Sequence, residues 1–466
     1  MEPIAAVATA QLPAGLGVVR ISGDGALRVA ARVFTPAGKT PVEELCGYRA
    51  AYGTVHEPEA AGGDAADGTP GGEALDDAVL LVFRAPHSFT GEDTAELSCH
   101  GGPYLLGRVL DAVLRAGARP AQPGEFTKRA FLAGKFDLTR AEAVMDLVGA
   151  QGDAALRAAR GEASGALFSK AQEIKARLLE ISADIAAWLD FPEEGVPALE
   201  PENLRAALSS LHTGLRALER SFGRGRLFRE GVLTAIAGRP NVGKSTLMNA
   251  LAGFEKSIVT ASPGTTRDVV EETVELCGLP LRLCDTAGLR ETENEAERIG
   301  VARAREKIAG AQLVLAVFDS SAPLSPEDER LLTALNPART VAVCNKSDLP
   351  RALDLAAVQE RFPRTVSVSA RQNEGFSLLA QAVRETVGAE GFEADEPLLM
   401  NERQLDCVRR AAEGTASALD AETAGFTLDA VSVGVEQALG ALCELTGEKA
   451  SDAVIDRVFE KFCIGK

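Results

Sequence analysis

The spacing of apolar residues divides the chain into regions of different structure. In the first region, the short apolar runs Gly17–Ile21 and Ala78–Phe83 predict strands, and a period near 3.6 over Leu105–Leu114 predicts a helix. The stretch Glu57–Asp77 is rich in glycine, alanine and aspartate and shows no period, so we expect a loose surface loop. Residues 1–120 therefore predict a compact α+β domain.

A helical period dominates from about residue 137 to 220 and returns from about 400 to 462. Each apolar stripe needs a partner surface, so we expect the two helical blocks to form one domain around an inserted globular domain. Two separate bundles, or one bundle shared between two chains, would bury the stripes equally well. The stripe residues are Leu178, Ile181, Ile185 and Trp188 in one helix, Leu204, Leu208, Leu211, Leu215 and Leu218 in the next, and Val454, Ile455, Val458, Phe459 and Phe462 in the last.

Between the helical blocks, the apolar strand Leu233–Ala237 runs directly into the turn Gly238–Ser245. Glycines let backbone N–H groups wrap around phosphates, and the helix that follows adds the positive end of its dipole. In this context Lys244 reaches the outer phosphates and Ser245 ligates Mg²⁺. The turn predicts a phosphate-binding loop (P-loop). A plain glycine turn is the alternative, and the motifs that follow argue against it.

Two motifs downstream complete the phosphate side of the predicted site. The strand Leu281–Cys284 ends at Asp285–Gly288, where Asp285 can hold a water on Mg²⁺ and the Gly288 N–H can sense the terminal phosphate. A threonine of Gly264–Asp268 can complete the metal shell when a triphosphate is bound.

Two later strands end in residues that select the base. Thr340–Cys344 leads into Asn345–Asp348, and Thr365–Val368 leads into Ser369–Ala370. The Asp348 carboxylate accepts hydrogen bonds from N1–H and the exocyclic amine of guanine, whereas adenine offers no such pair of donors. Together these elements resemble the translation-factor-like GTPases, which implies a mostly parallel sheet with helices on both faces.

The means of activating water is a separate question. The residue after Gly288 is Leu289, whose apolar side chain cannot orient a water molecule as glutamine would. Asn241 in the P-loop and the loop Thr260–Thr266 suggest that a bound monovalent cation supplies positive charge instead. The alternative is that Asn241 only stabilises its loop.

Composition and charge exclude several classes of protein. A chain of 466 residues predicts two to four domains, and the net charge of -18 with a pI near 4.9 excludes a general cationic surface for nucleic acid. No apolar run reaches the ~18 residues of a membrane span, and the start lacks signal-peptide features, so we expect a cytosolic protein.

The eight cysteines form no Cys-x-x-Cys pair, so most should be core residues. The densest basic stretch, which can contact phosphates or form a solvated face, contains Arg216, Arg220, Arg224, Arg226 and Arg229.

Segments outside the nucleotide motifs are more specific. From Ile4 to Lys466 the chain resembles the tRNA-modification GTPase family (MnmE, also called TrmE), the GTPase subunit of 5-carboxymethylaminomethyluridine-tRNA synthase. The resemblance rests on Thr90–Asp93 with Glu96, His100–Pro103, Pro123–Phe131, Asp285–Arg290 continuing to Glu297–Gly300, and the terminal Phe462–Lys466.

The resemblance implies a multidomain fold. An α+β folate-binding and dimerisation domain would occupy 1–120, and an α/β P-loop GTPase domain of the Ras-like type would occupy 223–390. The helical domain would combine 121–222 with 391–466, and the second segment would end in the Cys-Ile-Gly-Lys tail.

The resemblance also implies an activity and its partners. The expected function is K⁺-dependent GTP hydrolysis coupled to addition of a carboxymethylaminomethyl or aminomethyl group at C5 of the wobble uridine of certain tRNAs. The one-carbon donor would be a reduced folate, either 5-formyl- or methylene-tetrahydrofolate. The chain would be a cytoplasmic homodimer that binds tRNA and forms a heterotetramer with an FAD-dependent subunit of the MnmG (GidA) type, without membrane association.

By the family pattern, Glu297 would orient the attacking water as the general base through a second water, with Lys244 and Asp285 as further catalytic residues. Ser245 and Thr266 would ligate Mg²⁺. The K⁺ ligands would be Asn241, Thr260, Ser262 and Thr265. Residues expected to contact the nucleotide are Asn241, Val242, Gly243, Lys244, Ser245, Thr246, Thr260, Ala261, Ser262, Pro263, Gly264, Thr265, Thr266, Asp285, Thr286, Ala287, Gly288, Asn345, Lys346, Asp348, Ser369 and Ala370.

For the folate, the matching positions are Arg20, Glu96, Lys135 and Lys466. An acidic side chain can pair with the amide and amine of the pterin, while cations meet the glutamate tail. Cys463 matches a position suspected of chemistry, and a buried small hydrophobic residue is the alternative.

Two other functional classes compete with tRNA modification. A regulatory GTPase of ribosome assembly would typically append an RNA-binding module, so the N-terminal domain and the tail from Cys463 to Lys466 favour the enzyme subunit. A membrane-remodelling GTPase would need a hydrophobic anchor or a basic amphipathic helix, and the sequence contains neither.

Overall fold

The contacts of the chain define two compact units, each with its own sheet. Unit 1 contains Met1–Met145 and the chain from Cys443 onward, and unit 2 contains Asp146–Leu442. No helix in the described part of the chain is long and apolar enough to cross a membrane. The computed structural model describes residues 1–58, 72–190, 200–254, 272–276, 278–284, 308–389 and 396–465.

A seven-stranded sheet forms the centre of unit 1. Its strands are β1 (Ile4–Val7), β2 (Ala14–Ser22), β3 (Phe34–Pro36), β4 (Arg49–His56), β5 (Ala74–Phe83), β6 (Thr94–Gly101) and β7 (Arg119–Pro120), and the helices α1 (Ala26–Ala31) and α2 (Pro103–Arg115) contribute to its core. The strand order is β3-β4-β5-β6-β2-β1-β7, and only the β1/β7 pair is parallel. Val19 and Ile21 are buried in this core, so the residue between them, Arg20, points to the opposite face of the sheet.

The prediction of a surface loop over Glu57–Asp77 is wrong at its C-terminal end. Residues 74–77 already belong to β5, where Asp77 pairs with Thr54 of β4. Composition favoured a loop there, but an adjacent strand supplies the hydrogen-bond partners that short stretches of sequence do not show. Residues 59–71 lie outside the described structure.

Three helices complete unit 1 beside the sheet: α3 (Glu125–Leu132), the start of α4 (Leu138–Gly149) and α14 (Asp452–Phe459). The predicted apolar face extended to Phe462, yet α14 ends at Phe459, and Phe462 is buried from the following turn. Gly124 lies so close that a Cβ atom there would be 2.6 Å from the Phe459 carbonyl oxygen. Val454 is 39% exposed, so it does not belong to the buried face.

Unit 2 contains a six-stranded, mostly parallel sheet, as the sequence predicts. Its strands are β8 (Val232–Ala237), β9 (Glu272–Leu276), β10 (Leu279–Cys284), β11 (Leu313–Asp319), β12 (Thr340–Asn345) and β13 (Thr365–Ser367). The order is β13-β12-β11-β8-β10-β9, and only β9/β10 is antiparallel.

Both faces of this sheet are covered, because alternate residues of one strand enter two different cores. Val317 of β11 packs with helices α8 (Lys244–Phe254) and α11 (Phe376–Val387). Its neighbour Phe318 packs with α9 (Pro326–Ala334) and α10 (Leu355–Arg361) on the opposite face. Continuous apolar strands are typical of a parallel sheet buried on both sides.

Helices of both sequence blocks lie in unit 2: α5 (Asp153–Ser164), α6 (Ala166–Asp190), α7 (Pro201–Glu230), α12 (Glu402–Thr423) and most of α13 (Leu428–Thr446). The leucine stripe of α7 is buried, as predicted, and α7 packs against α12, with Arg205 bonded to Glu422. Further along α7, Phe228 enters the core of the sheet.

The stripe predicted on α6 is buried at Leu178, Ile181 and Ile185, but Trp188 is 40% exposed. Trp188 belongs to the last turn of the helix, two residues before its end at Asp190. Periodicity identifies the face of a helix on which a residue lies, and it does not show how far along the helix the partner surface extends.

Candidate functional site

The P-loop connects β8 to α8 at the carboxyl ends of the parallel strands, where ligands bind in open α/β sheets. Neither of its two glycines can be replaced without displacement of neighbours. A Cβ atom at Gly238 would lie 2.6 Å from the Val317 carbonyl oxygen, and one at Gly243 would lie 2.3 Å from Asn345 Nδ2. Gly243 also has a φ of 96°. The backbone therefore approaches its neighbours closely, as a phosphate cradle requires.

Lys244 begins α8, and its ammonium group folds back onto the P-loop. Nζ donates hydrogen bonds to the carbonyl oxygens of Gly238 (2.8 Å) and Arg239 (2.9 Å). Burial lowers the pKa of Lys244, and the negative charge of Glu327 opposes this shift. The ammonium is a compact cation at the mouth of the loop, suited to contact phosphate oxygens. Ser245, the predicted Mg²⁺ ligand, is exposed in the first turn of the same helix.

Asn345 ties the P-loop to the base-recognition loop. Its Nδ2 donates to the Val242 carbonyl (2.9 Å), and its Oδ1 accepts from the Ala370 N–H (3.1 Å). Lys346 makes a second tie, since its Nζ donates to the Asn241 carbonyl at 2.9 Å. Both amide ends of the buried Asn345 are used in holding the P-loop and the Ser369–Ala370 loop together.

Asp348 lies beside the second base-recognition strand, as expected. Its Oδ1 accepts a hydrogen bond of 2.7 Å from the Ser369 hydroxyl, which orients the half-buried carboxylate. The structure therefore brings Asn345, Lys346, Asp348, Ser369 and Ala370 together next to Asn241, Val242 and Lys244.

Thr246 is exposed in the first turn of α8, and the other predicted residues of the nucleotide site lie outside the described residues. β10 ends at Cys284, the residue before Asp285, and it runs parallel to β8, so its carboxyl end lies at the same edge of the sheet as the P-loop. The residues outside the description are Thr260, Ala261, Ser262, Pro263, Gly264, Thr265, Thr266, Asp285, Thr286, Ala287, Gly288, Leu289 and Glu297, with Lys466 of the folate set.

The sequence interpretation missed two acids near the P-loop. Asp319 ends β11 and accepts a hydrogen bond of 2.5 Å from Lys346 Nζ. Burial alone would raise the pKa of Asp319, but hydrogen bonds from Lys346 and Ser321 outweigh it and lower the pKa. Asp328 of α9 pairs with Arg239. An acid that directly follows an apolar parallel strand is a usable signal for Asp319, whereas no local pattern marks Asp328.

A cavity of about 190 Å³ in unit 1 contains two of the predicted folate residues, Arg20 and Glu96. They are opposite residues of β2 and β6, and Arg20 Nε donates to Glu96 Oε1 at 2.8 Å. The guanidinium carbon lies 5.9 Å from the ring centroid of Phe89 and 5.6 Å from that of Phe126, within cation–π range. The residues that line the cavity are Arg20, Phe83, Phe89, Thr90, Thr94 and Glu96.

Two of the lining residues, Thr90 and Thr94, carry buried hydroxyl groups that the sequence interpretation did not identify. Ser22 Oγ lies 2.7 Å from Thr90 Oγ1, and the Thr94 hydroxyl donates to Ser22 Oγ at 3.2 Å. Ser22 also donates to Glu92, which pairs with the buried Arg129. The two lining hydroxyls thus belong to a connected polar network.

The one further predicted folate position in the described structure, Lys135, is not among the residues that line this cavity. Lys135 Nζ donates to the Pro86 carbonyl at 2.9 Å. The C-terminal tail reaches Arg20, whose Nη1 donates to the Gly465 carbonyl at 3.4 Å. Cys463 is exposed, so the alternative of a buried small hydrophobic residue is wrong for it.

The basic stretch of α7 is largely neutralised by acids of the same chain. Four of its arginines form ion pairs: Arg216 with Glu219, Arg224 with Glu396, Arg226 with Glu230, and Arg229 with Asp146. The pattern favours a solvated face of paired charges over a phosphate-binding surface.

The described cysteines are free thiols, and most of them are buried. Cys99, Cys344, Cys407 and Cys443 are buried, while Cys46 and Cys463 are exposed. Burial raises the pKa of Cys99 to about 12 and that of Cys344 to about 11. Within the described ranges, no group of three or more His, Cys, Asp or Glu side chains could hold a metal ion.

Comparison with known protein families identifies the two parts of the chain. The model of the MnmE helical domain matches residues 138–463, and the model of the GTP-binding protein TrmE N-terminus matches residues 3–135. The chain belongs to the MnmE family of tRNA modification GTPases.

Full-length relatives agree with this assignment. The chain is 44% identical to the tRNA modification GTPase MnmE of Symbiobacterium thermophilum, over 100% of this chain and 99% of that protein. It is also 44% identical to MnmE of Thermus thermophilus over the same shares of the two chains. The solved G domain of the T. maritima FeoB iron transporter is 28% identical over 33% of this chain and 96% of that chain, with a TM-score of 0.26.

Membership of the MnmE family makes the chain a GTP hydrolase of tRNA modification. GTP and Mg²⁺ are its ligands in the nucleotide site, and the exposed Ser245 and the ammonium of Lys244 are suited to contact them.

Proposed function

We propose that this chain is a K⁺-dependent GTPase that works with an FAD-dependent subunit of the MnmG type. Together they would add a carboxymethylaminomethyl or aminomethyl group to C5 of the wobble uridine of certain tRNAs, with a reduced folate as one-carbon donor. The observation that carries the proposal is the presence, in one chain, of a P-loop site with base-recognition loops and of a cavity built on the Arg20–Glu96 pair.

The features of the cavity fit a pterin ring. The Glu96 carboxylate can accept from the amide and amine of the pterin, and the aromatic rings of Phe83 and Phe89 offer apolar walls. A cavity of about 190 Å³ suits the ring system, so the glutamate tail would extend outside it toward cations such as Lys135 and Lys466. Thr90 and Thr94 add hydroxyl groups that can donate or accept.

The conformation of Asn241 fits a role as a K⁺ ligand. Its backbone is held in the left-handed region at a φ of 64°, and its carbonyl accepts from Lys346. Its side chain is exposed and makes no hydrogen bond within the described part of the chain, which argues against an amide that only stabilises the loop. The other proposed K⁺ ligands are Thr260, Ser262 and Thr265.

The GTPase chemistry would be divided among the chain's own residues. Lys244 would contact the outer phosphates, Ser245 and Thr266 would hold Mg²⁺, and Asp285 would hold a water on it. Glu297 would orient the attacking water through a second water. Bound Mg²⁺ and K⁺ supply positive charge where the phosphoryl oxygens become more negative in the transition state.

We further propose the domain boundaries given above and a homodimer that associates with the FAD-dependent subunit as a heterotetramer. Large apolar residues of unit 1 support a dimer surface, since Leu16, Tyr52 and Tyr104 are well exposed. Val79 is also exposed and pairs with Tyr52 across β4 and β5. An exposed group of large apolar side chains on one domain is typical of a protein interface.

The proposed modification is tested by mass analysis of the wobble uridine in tRNA from cells that lack this chain. We expect the C5 substituent to be lost, to return with the unaltered gene, and to remain absent with Glu96→Gln. A substituent that persists without the chain would contradict the proposal and would favour a role in ribosome assembly.

Cation dependence is tested by GTPase turnover in K⁺ and in Na⁺. We expect turnover to rise strongly in K⁺, and Asn241→Ala to abolish the difference. Asn373→Ala is a matched control, because Asn373 is also exposed and left-handed, with a φ of 56°, in the same domain. Equal turnover in the two salts by the unaltered protein would remove the basis for the K⁺ site.

A further inference from the structure

Two parts of the P-loop, Gly238–Pro240 (its first half) and Asn241–Ser245 (its second half), are held by different neighbours. The second half is tied to the base-recognition residues, because Asn345 bonds to Val242 and Lys346 bonds to Asn241. In the first half, Arg239 Nε donates to Asp328 Oδ2 at 3.1 Å. This side-chain contact therefore connects the first half of the P-loop to α9 and not to the guanine-recognition loops.

The Asp328 carboxylate is almost completely removed from water, because its side chain is only 2% exposed. It is the N3 residue of α9 in a capping box, and its Oδ2 accepts from both the backbone N–H (3.0 Å) and the hydroxyl (2.8 Å) of Ser325. A carboxylate near a helix N-terminus is favourable, yet a buried charge remains costly without a cation beside it. Arg239 supplies that cation.

The backbone of Arg239 also takes part in holding Lys244. The ammonium of Lys244 rests on the carbonyl oxygens of Gly238 and Arg239, while the Arg239 side chain is anchored to Asp328. Any shift of Arg239 would move one of these carbonyls and would change the position from which Lys244 reaches a phosphate. The Arg239–Asp328 ion pair is thus connected to Lys244 through the backbone carbonyl of Arg239.

We propose that Arg239 and Asp328 form a positioning pair for phosphate binding. The pair fixes the first half of the P-loop, so that Lys244 and the N–H groups of the loop are already arranged when the nucleotide binds. Guanine selection depends on the ties of the second half. Affinity for the polyphosphate should therefore depend on the pair, and the preference for guanine over adenine should not.

The test compares Asp328→Asn and Arg239→Gln with the unaltered full-length chain by calorimetry with GDP and ADP and by steady-state GTPase assays. We expect the Kd for GDP to rise about tenfold in each variant, since a hydrogen bond to a charged group is lost. The ratio of GDP to ADP affinity should stay constant. KM for GTP should rise more than kcat falls, because the pair acts on bound nucleotide and transition state alike.

Two control variants separate this role from helix capping. Ser325→Ala removes the capping hydroxyl of α9, and with it one hydrogen bond to Asp328 Oδ2, but keeps both charged members of the Arg239–Asp328 pair. Asp354→Asn alters the N-cap acid of α10, which bonds to the N–H groups of Ala356 and Ala357 and not to the P-loop. Both controls should lower thermal stability while GDP affinity stays within about twofold, because the loss of a cap acts mainly on the helix.

Variants of the more accessible partner keep the test decisive if Asp328→Asn does not fold. Arg239 is 21% exposed, so Arg239→Gln and Arg239→Lys can be accommodated more easily. Arg239→Lys keeps the charge and should recover part of the affinity that Arg239→Gln loses. The double variant should bind GDP no more weakly than Arg239→Gln alone, since both changes remove one interaction.

Three results would overturn the proposal: unchanged GDP affinity in Arg239→Gln, an equal loss in Ser325→Ala, or a fall in the ratio of GDP to ADP affinity.

Discussion

The nucleotide site of unit 2 and the Arg20–Glu96 cavity of unit 1 are assembled in different ways. At the nucleotide site, short contiguous motifs follow the ends of parallel strands, and the described motifs bond directly to one another, as Asn345 does to Val242. In the cavity, two residues 76 positions apart meet because β2 and β6 pair in a register that places them opposite each other. Contiguous motifs are visible in a sequence, whereas a contact that depends on strand register becomes visible only after the sheet has formed.

The comparison also concerns how each site would respond to a single change. The loops of the nucleotide site separate phosphate contact from base selection, so one substitution should affect one of these functions. The cavity depends on an ion pair at its wall, so one substitution there should affect both the ligand and the local structure.

The largest effect is expected from Asp348→Asn. An amide cannot accept both hydrogen bonds from guanine, so the preference for GTP over ATP in kcat/KM should fall by about 10³-fold or more. Xanthosine triphosphate is a useful positive control, because xanthine carries a carbonyl where guanine carries its amine, and the amide can donate to it. Unchanged selectivity for GTP would reject the assigned role of Asp348.

A smaller loss is expected from Lys244→Ala, which removes the cation that we propose contacts the outer phosphates. We expect kcat/KM for GTP to fall by about 10²–10³-fold, the range seen when one preorganised donor is removed. Asp354→Asn is the control in the same domain. A loss below tenfold would show that phosphate binding relies on other groups.

The pH response of Lys244 sharpens the same prediction. Burial lowers the pKa of Lys244 below 10.5 in the folded chain. Between this lowered pKa and 10.5, the unfolded chain binds more protons at Lys244 than the folded chain does. The contribution of Lys244 to the stability of the nucleotide-free protein should therefore rise with pH in this range. GTP affinity should fall over the same window, as the ammonium loses its proton. Lys244→Ala should lose both responses in pH-dependent melting and binding measurements, whereas responses that persist would come from other groups.

In unit 1, Arg20→Ala should weaken binding of 5-formyltetrahydrofolate. The change leaves Glu96 unpaired at the cavity, so we expect the Kd to rise by about 30-fold or more. Arg28→Ala is the matched control, since Arg28 and Glu43 lie 3.8 Å apart with side chains 73% and 56% exposed, and such surface pairs contribute little. Equal affinity of the two variants in calorimetry would argue against a folate site at Arg20.

The smallest effect concerns one buried thiol on a strand of each site. Cys344 precedes Asn345 in β12, and Cys99 lies in β6, the strand that carries Glu96. Burial raises the pKa of both thiols. We expect iodoacetamide at neutral pH to modify them at least about tenfold more slowly than the exposed Cys46 and Cys463. Peptide mass spectrometry measures the rates. Fast labelling of Cys344 alone would show that the nucleotide domain opens more readily than unit 1.

The sequence was sufficient wherever a local pattern determines the structure. The leucine stripe of α7, the strands that precede each nucleotide motif, and the meeting of Asp348 with Ser369 all follow from periodicity and motif order. The start of β5 at Ala74 did not, because pairing with β4 outweighs a composition typical of loops.

Long-range contacts account for the other omissions. Asp328 lies 89 positions from Arg239, and the hydroxyl network joins Ser22 to Thr90 across 68 positions. Neither contact produces a periodic or contiguous signal. The end of α14 at Phe459 lies against Gly124, which belongs to a different segment of the chain.

Helix α7 takes part in two cores at once, since its leucine stripe packs with α12 and its last turns enter the sheet of the nucleotide domain. With 30 residues it is a stiff rod about 45 Å long, and a tilt of about 10° at one end would displace the other by about 8 Å. A rearrangement of the sheet too small to change any single bond could thus displace the far end of α7 by several ångströms.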